Sequence, residues 1–194
     1  LPRLGSFDLV LAIDDVLMPT LRQIGAWWES GRCDIPQERL LTETCRAWLA
    51  QQTAVAQVQN LEPPIVLACG PRDIHTIGLE ALAALLAEQQ RGCRILGSRT
   101  SELTLISAAT ATSAAAVVVV SQLRTHRRAA VEALRSADAA GFRLFYAGNA
   151  FAFDTERRGV PGVYLGETIS AASTIILDSL RGDAPRPSVP QQVA

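Results

Sequence analysis

The hydrophobic periodicity of this chain changes at one segment, Glu62-Pro63-Pro64, and that change constrains the fold most. Before it, from Phe7 to about Ala56, apolar residues recur at the spacing of amphipathic helices. After it, short β-branched runs alternate with helical segments. Alternation of this kind builds a parallel sheet with helices on both faces. We therefore predict an α/β fold class, a helical bundle cap followed by a doubly wound five-stranded parallel sheet.

Five runs after Pro64 have the length and composition of buried strands. They lie at residues 65–69, 94–97, 116–120, 144–147 and 163–165. Helices are predicted at 77–91, 101–112, 126–140, 150–158 and 167–181. A flavodoxin-like strand order of 2-1-3-4-5 would set the first strand between the second and the third. The predicted domains are a cap at 1–61, an α/β unit at 62–181 and a disordered tail at 182–194.

The cap region divides into about three helices, at Pro19 and at the segment 31–36. Pro36 suits the first turn of the third helix, and Asp34 suits its N-cap. A four-helix bundle would then lack one member. Because Met18 is the single methionine, the first residue is no initiator, and we expect the missing helix upstream.

Charge and composition exclude several classes of protein. The net charge of −1 argues against a chain whose main task is to coat nucleic acid or an anionic membrane. The uncharged stretch from Leu103 to Val120 is too polar in its first half for a membrane helix, so no membrane partner is predicted. The four cysteines show neither zinc-site pairs nor disulfide density, which indicates reduced thiols in a cytoplasm.

Polar residues follow three of the predicted strands. Asp73 and His75 follow the first strand and Ser121 ends the third, so in this topology they should meet at one crevice. The Asp-x-His spacing lets the carboxylate hold the imidazole Nδ1 proton and leaves Nε2 for a metal. Gly78 removes a side chain where a bulky ligand would pass. Taken alone, an Asp-x-His pair is more often a hydrogen-bonded loop than a metal site.

Three motifs together carry a family resemblance. The segments DIHTIG, SQL and AGNAF resemble the D-x-H-x-x-G, S-x-L and G-G-x-A-F motifs of cobalamin-binding domains. The resemblance implies His75 as the lower cobalt ligand, with Asp73 orienting it. Ala147 departs from the family's first glycine. The same resemblance implies that the rest of the cofactor site consists of Ile74, Thr76, Ile77, Gly78, Ser121, Leu123, Gly148 and Asn149.

The cap carries a second resemblance. Trp28, Gly31 and Glu38 are similar to the W-x-x-G and Glu-His pattern of the CarH-type cobalamin-dependent photoreceptors. In that family the tryptophan lies over the upper corrin face and the glutamate contacts the upper axial group. Arg39 occupies the histidine position, and because a guanidinium does not ligate cobalt, water, hydroxide or another donor would have to take the upper site. For Trp27 and Trp48 we predict core packing instead.

The segment Arg124–Arg128 opens a helix with positive charge, where the helix dipole disfavours it. Solvated surface is the prediction, with a phosphate, the nucleotide tail or an acidic partner as alternatives. His126 belongs to this run, and we predict a surface residue far from the upper face.

These resemblances imply a cobalamin-binding light sensor that regulates transcription, similar to antirepressors of the AerR/PpaA type or to the effector half of a MerR-type regulator. Its partners would be cobalamin, in a form left undetermined, and a transcription factor or DNA-binding protein, with homo-oligomers left open. No catalytic residue is predicted. Two alternatives remain: a methyl-carrying corrinoid protein and a haem-binding SCHIC-type redox sensor.

Overall fold

The computed structural model describes residues 8–56 and 62–182, and it has the predicted fold class. A helical cap precedes five parallel strands with helices on both faces. The predicted boundary at residue 61 lies outside the described residues, as does the predicted tail from residue 183 onward. In the described part of the chain, no helix combines the length and apolarity that crossing a bilayer requires.

The sheet has the order β2-β1-β3-β4-β5, and every neighbouring pair is parallel, as predicted. All residues of β1 and β3 are buried, which explains why these strands are continuous apolar runs. Two predicted bounds differ by one residue, at the start of β2 and at the end of β5. The strands are β1 (Ile65–Cys69), β2 (Cys93–Gly97), β3 (Ala116–Val120), β4 (Leu144–Ala147) and β5 (Val163–Tyr164).

Eight α-helical segments lie within the described residues. In the cap they are α1 (Leu9–Leu11), α2 (Met18–Glu29) and α3 (Ile35–Val55). In the α/β unit they are α4 (Ile77–Glu88), α5 (Glu102–Ala111), α6 (Arg127–Ala139), α7 (Asp154–Arg157) and α8 (Ile169–Arg181).

The predicted helix at 150–158 is wrong. A 3₁₀ turn at Asn149–Phe151 and the four-residue α7 replace it, with Phe153 extended between them. The Arg157 guanidinium donates to the carbonyl oxygens of Phe151 (Nε, 2.8 Å) and Ala152. These hydrogen bonds satisfy backbone acceptors that a continuous helix would otherwise pair internally.

The first two cap helices form one rod through a π-helical segment, Ala12–Leu17. The predicted division of the helices at Pro19 is therefore wrong: Pro19 lies in the first turn of α2, directly after the widened π turn, and supplies no N–H to the rod. The widened turn lets Asp14 reach α8, whose first two N–H groups, of Ile169 and Ser170, donate to its carboxylate (2.9 and 3.1 Å). A carboxylate at a helix N-terminus is favourable, so Asp14 fixes the cap on the α/β unit.

The predicted N-cap of α3 is confirmed, because the Asp34 carboxylate accepts from the Gln37 N–H (2.8 Å) and Gln37 Oε1 accepts from the Asp34 N–H (3.1 Å). Farther along, Leu49 packs on Ala81, Ala84 and Leu85 of α4. Helix α4 is therefore covered by the sheet on one side and by the cap on the other, which explains its apolar composition all round.

Candidate functional site

The carboxylate of Asp73 is the centre of the site at the C-terminal edge of the sheet. It lies in the loop after β1 and is fully buried. Its Oδ1 accepts hydrogen bonds from the His75 ring Nδ1 (2.7 Å) and the His75 backbone N–H (3.0 Å). Its Oδ2 accepts from the Gln122 backbone N–H (2.6 Å) and, at 3.4 Å, from the Ser121 hydroxyl. The loops after β1 and β3 thus meet at one carboxylate, as the topology predicts.

These contacts set the protonation of the pair. Burial alone would raise the pKa of Asp73, but hydrogen bonds from the His75 ring and from the His75 and Gln122 backbones outweigh it, and the pKa is lowered. The hydrogen bond to Asp73 raises the pKa of His75 against the opposing effect of burial. Asp73 therefore stays ionised and keeps a proton on His75 Nδ1.

His75 has the orientation that a metal-bound imidazole needs. Its side chain is 49% exposed, and with Nδ1 held by Asp73 the second ring nitrogen, Nε2, can donate to a metal. A single imidazole suits a metal whose remaining ligands come from a macrocycle. Within residues 8–56 and 62–182 no cluster of three or more His, Cys, Asp or Glu side chains could hold a free ion.

The surface around His75 leaves room for a large ligand. A Cβ added at Gly78 would meet no atom within 4 Å, so the space in front of this residue is open. Ile74 and Leu123, which the motifs placed in the site, are apolar and exposed. Thr76 and Ile77 are partly buried beside them. The donor, the open space and the apolar surroundings fit a corrinoid.

Gly148, in the AGNAF motif, lets the backbone of that motif pass close to Ser121 of the SQL motif. It has a φ of +103°, and a Cβ there would lie 2.2 Å from the Ser121 carbonyl oxygen. That oxygen accepts from the Ala150 N–H (3.1 Å), while the exposed Asn149 donates its N–H to Gln122 Oε1 (3.3 Å). Ala147, which stands where the family has a glycine, is the last residue of β4, and it is partly buried there.

Two residues of this network escaped the sequence prediction. Gln122 joins all three loops, through its backbone to Asp73 and through its side chain to Asn149. His126, predicted as a surface residue, is instead packed near the site with its Nδ1 3.8 Å from Asp73 Oδ2. That nitrogen is buried and has no hydrogen-bond partner in the described part of the chain. A 3₁₀ turn at Arg124–His126 directs the ring inward, and the basic run in the sequence concealed it.

Two arginines of that basic run are solvent-exposed and paired with acidic side chains. Arg124 lies 2.7 Å from Glu156, and Arg128 pairs with Glu132 at 3.0 Å. The prediction of a solvated surface therefore holds for these two arginines. It is wrong for His126 and for Arg127, which is partly buried and donates to the Glu156 backbone carbonyl (Nε, 2.9 Å).

The cap extends over the edge of the sheet that carries His75. Arg46 contacts Thr76 at the start of α4, and Gln90, just past its end, donates to the Ala56 carbonyl (3.0 Å). Helices α3 and α4 thus run parallel, and the first part of α3 projects beyond α4 on the His75 side. At 1.5 Å per residue, Glu38 lies about 12 Å beyond Arg46 along the helix.

We call residues 27–39 the hairpin tip. Ile24, Trp27 and Trp28 share one face of α2, yet Ile24 is 4% exposed while the tryptophans are 43% and 52% exposed. Predicted core packing is therefore wrong for Trp27, because this end of α2 lies beyond the body that covers Ile24. It is right for Trp48, which packs against the interface with α4.

The other two predicted upper-face residues differ in exposure. Glu38 is partly buried and accepts a hydrogen bond from Thr42 (2.8 Å), whereas Arg39 is exposed. No contact joins either of them to His75 in the described part of the chain, so their role toward a ligand stays a prediction.

The cap matches a known family. Residues 5–51 match a family model described as a B12 binding domain. The predicted resemblance to cobalamin-binding proteins and the predicted cofactor, cobalamin, are confirmed by this match.

One curated relative is the HTH-type transcriptional repressor CarH of Myxococcus xanthus, which is 36% identical over 98 residues. Those residues make up 50% of this chain and 32% of the repressor, so the match spans about a third of that relative's length.

Solved structures share the fold of nearly the whole chain. A monomethylamine corrinoid protein of Methanosarcina barkeri has a TM-score of 0.65 and 14% identity, covering 84% of this chain and 80% of its own. A cobalamin-binding protein of Desulfitobacterium hafniense has a TM-score of 0.55 and 15% identity, covering 88% and 86%. A chain of the Methanosarcina barkeri methanol:cobalamin methyltransferase complex MtaBC has a TM-score of 0.58 and 19% identity. The match covers 92% of this chain and 70% of that one.

Proposed function

We propose that this chain, whose cap matches a B12 binding domain, is a cobalamin-dependent sensor that regulates transcription and uses His75 as its lower cobalt ligand. One observation carries the assignment of the ligand. The exposed imidazole of His75 has its Nδ1 fixed 2.7 Å from a buried carboxylate, and Gly78, three residues later, leaves open space in front of its backbone.

Each element of the site has a proposed task. Asp73 keeps the Nδ1 proton in place, so His75 presents the lone pair of Nε2 to cobalt. Bound cobalamin would supply a light-sensitive bond between cobalt and an axial group. The hairpin tip would hold that axial group, with Trp28, Glu38 and Arg39 as the residues that contact it. The nucleotide tail would enter beside Ser121, Leu123, Gly148 and Asn149, and the segment 74–78 would support the corrin.

The similarity to CarH supports regulation over catalysis. We propose that loss of the upper group shifts the hairpin tip and so changes a surface read by a transcription factor or a DNA-binding partner, as in an antirepressor. Self-association of the chain is a second way to expose or hide such a surface. The four free cysteines suit the cytoplasm, where such a regulator acts.

A methyl-carrying corrinoid protein is the second candidate. The similarity in fold to the monomethylamine corrinoid protein and to the MtaBC complex supports it. A carrier would exchange a methyl group with partner enzymes in the dark, whereas a sensor would keep its upper group until illuminated.

The test is an absorption spectrum of purified protein with adenosyl- or methylcobalamin, in the dark and after illumination. We expect tight binding, a stable dark spectrum and a light-induced change, and His75→Ala should shift the spectrum of the bound cofactor. An unchanged spectrum and affinity in His75→Ala would refute His75 as ligand. A spectrum that responds to a methyl acceptor but not to light would favour the carrier, and selective binding of haem would favour the redox sensor.

A further inference from the structure

Arg46 joins the cap to the loop that carries His75. It lies in the middle of α3, and its guanidinium donates to the Thr76 hydroxyl (3.0 Å) and to the Glu80 carboxylate. Thr76 directly follows His75, and Glu80 lies in the first turn of α4. Glu80 is largely buried, so the ion pair is more than an exposed surface contact.

The Thr76 hydroxyl accepts a hydrogen bond from Arg46, although the position of Thr76 at the start of α4 would suggest that it caps the helix. Thr76 occupies the N-cap position of α4 but has helical dihedrals (φ −86°, ψ −20°), and its side chain caps no backbone N–H among the described residues. A cation near a helix N-terminus is unfavourable unless it is neutralised. Glu80 neutralises Arg46, which allows the arginine to hold Thr76.

The same helix carries Glu38 of the hairpin tip. Arg46 follows Glu38 by two helical turns, and hydrogen bonds along α3 make the connection stiff. A displacement of the tip that moves α3 therefore acts on Thr76, and through the adjacent peptide on His75. The reverse also holds, because coupling between two sites is reciprocal.

We infer that Arg46 is a positioning residue that couples cap docking to ligation of cobalt by His75. The inference rests on the proposed function, since it assigns an internal link between the lower and upper faces of the cofactor. The contacts at Thr76 and Glu80 form when the cap is docked, so the docked cap favours the loop conformation in which His75 meets cobalt.

The experiment measures His75 ligation directly. Protein loaded with hydroxocobalamin is reduced to the Co(II) form, and electron paramagnetic resonance gives the ratio of cobalt with a coordinated histidine nitrogen to cobalt without one. Arg46→Ala should lower that ratio by about tenfold, because it removes both the hydrogen bond to Thr76 and the ion pair with Glu80. Arg46→Lys should restore part of it, and Glu43→Ala, which removes an exposed partner of Arg46 outside the interface, should leave it unchanged.

Thr76→Val provides a second variant that keeps the side-chain shape and the Arg46–Glu80 pair, in case Arg46→Ala fails to fold. It should lower the ratio by about threefold, because it removes the hydrogen bond from Arg46 but leaves the ion pair with Glu80 in place. Hydrogen exchange should also show that cobalamin binding protects α3 amides less in Thr76→Val than in wild type. An unchanged ratio in Thr76→Val and in any folded Arg46→Ala would overturn the inference. Absence of a histidine nitrogen on cobalt in wild type would instead overturn the proposed function.

Discussion

The His75 loop and the hairpin tip, proposed to face opposite sides of one cofactor, are built in contrasting ways. The loop is fixed by a buried carboxylate that four hydrogen bonds tie to two strand ends. The tip presents Trp27 and Trp28 to solvent, beyond the last contact of the cap with α4. Preorganisation of the loop lowers the cost of binding the metal. The proposed function requires the tip, with its two exposed tryptophans, to be the part that moves.

The largest effect should come from the backbone contact on the loop side. Gly148→Ala places a Cβ 2.2 Å from the Ser121 carbonyl oxygen at a φ of +103°, so the Gly148 and Ser121 loops must separate. We expect a loss of at least about 3 kcal/mol in the free energy of unfolding, measured by urea denaturation. Gly78→Ala is the matched control, because its Cβ meets open space.

Gly78→Ala also tests whether the cofactor passes close to this residue. Gly78 lies in α4 with an ordinary helical φ, so alanine should stabilise the apo protein by up to about 0.5 kcal/mol. If the corrin occupies the open space, the same substitution should weaken cobalamin binding. A Gly78→Ala protein with unchanged affinity would show that the cofactor does not pass this residue.

Removal of the Asp73 charge should have the next largest effect. Asp73→Asn keeps the shape of the side chain but replaces the charged acceptor by a neutral amide. The hydrogen-bond donors of Asp73, which include the His75 ring and the Gln122 N–H, then face that amide. We expect a loss of about 2 kcal/mol in the free energy of unfolding of the apo protein and a weaker lower ligand in the loaded one. Asp178→Asn, which removes an exposed carboxylate paired with Arg181 at 3.8 Å, should change stability by less than about 0.5 kcal/mol.

The sequence predicted the loop side better than the tip for a physical reason. Strand order and the meeting of Asp73, His75 and Ser121 follow from βα alternation, which is a local pattern with one topological outcome. The exposure of Trp27 depends on where α4 begins beneath the cap. The inward turn of His126 depends on a 3₁₀ turn inside a basic run, and the broken helix at 150–158 depends on the Arg157 side chain. These three outcomes are set by tertiary contacts.

Substitution of Trp28 on the hairpin tip should change cofactor retention more than the stability of the apo protein. Because Trp28 is half-exposed, Trp28→Ala should change the free energy of unfolding of the apo protein by less than about 1 kcal/mol. Retention of an alkylcobalamin should fall by about tenfold, with hydroxocobalamin affected less, since only the alkyl group fills the space under the indole. Trp48→Ala, in the interface with α4, should show the reverse pattern. Equal losses for both cofactor forms in Trp28→Ala would assign Trp28 to packing.

The smallest effect, a pH dependence, should have opposite signs in the apo and the loaded protein. The hydrogen bond to Asp73 raises the pKa of His75 above its ordinary value of 6.5. Between the unfolded and folded pKa values the folded protein binds more protons, so this contribution to stability is complete below about pH 6.5 and is lost as the pH rises through the folded pKa. The Asp73 pKa is lowered from 3.8, so its contribution is present above about pH 3.8 and lost as the pH falls.

The difference in apo stability between wild type and His75→Gln should therefore be largest between about pH 4 and 6.5 and should shrink toward pH 9, as urea midpoints would show. Cobalt requires the unprotonated Nε2, so ligation by His75 should instead strengthen as the pH rises. Apo stability and cobalt ligation therefore depend on pH in opposite directions. The proton on His75 stabilises the apo protein, but it must leave Nε2 before that nitrogen can bind cobalt. If both profiles rose together with pH, the Asp73 contact would act on packing alone, and the loop would not be poised for a metal.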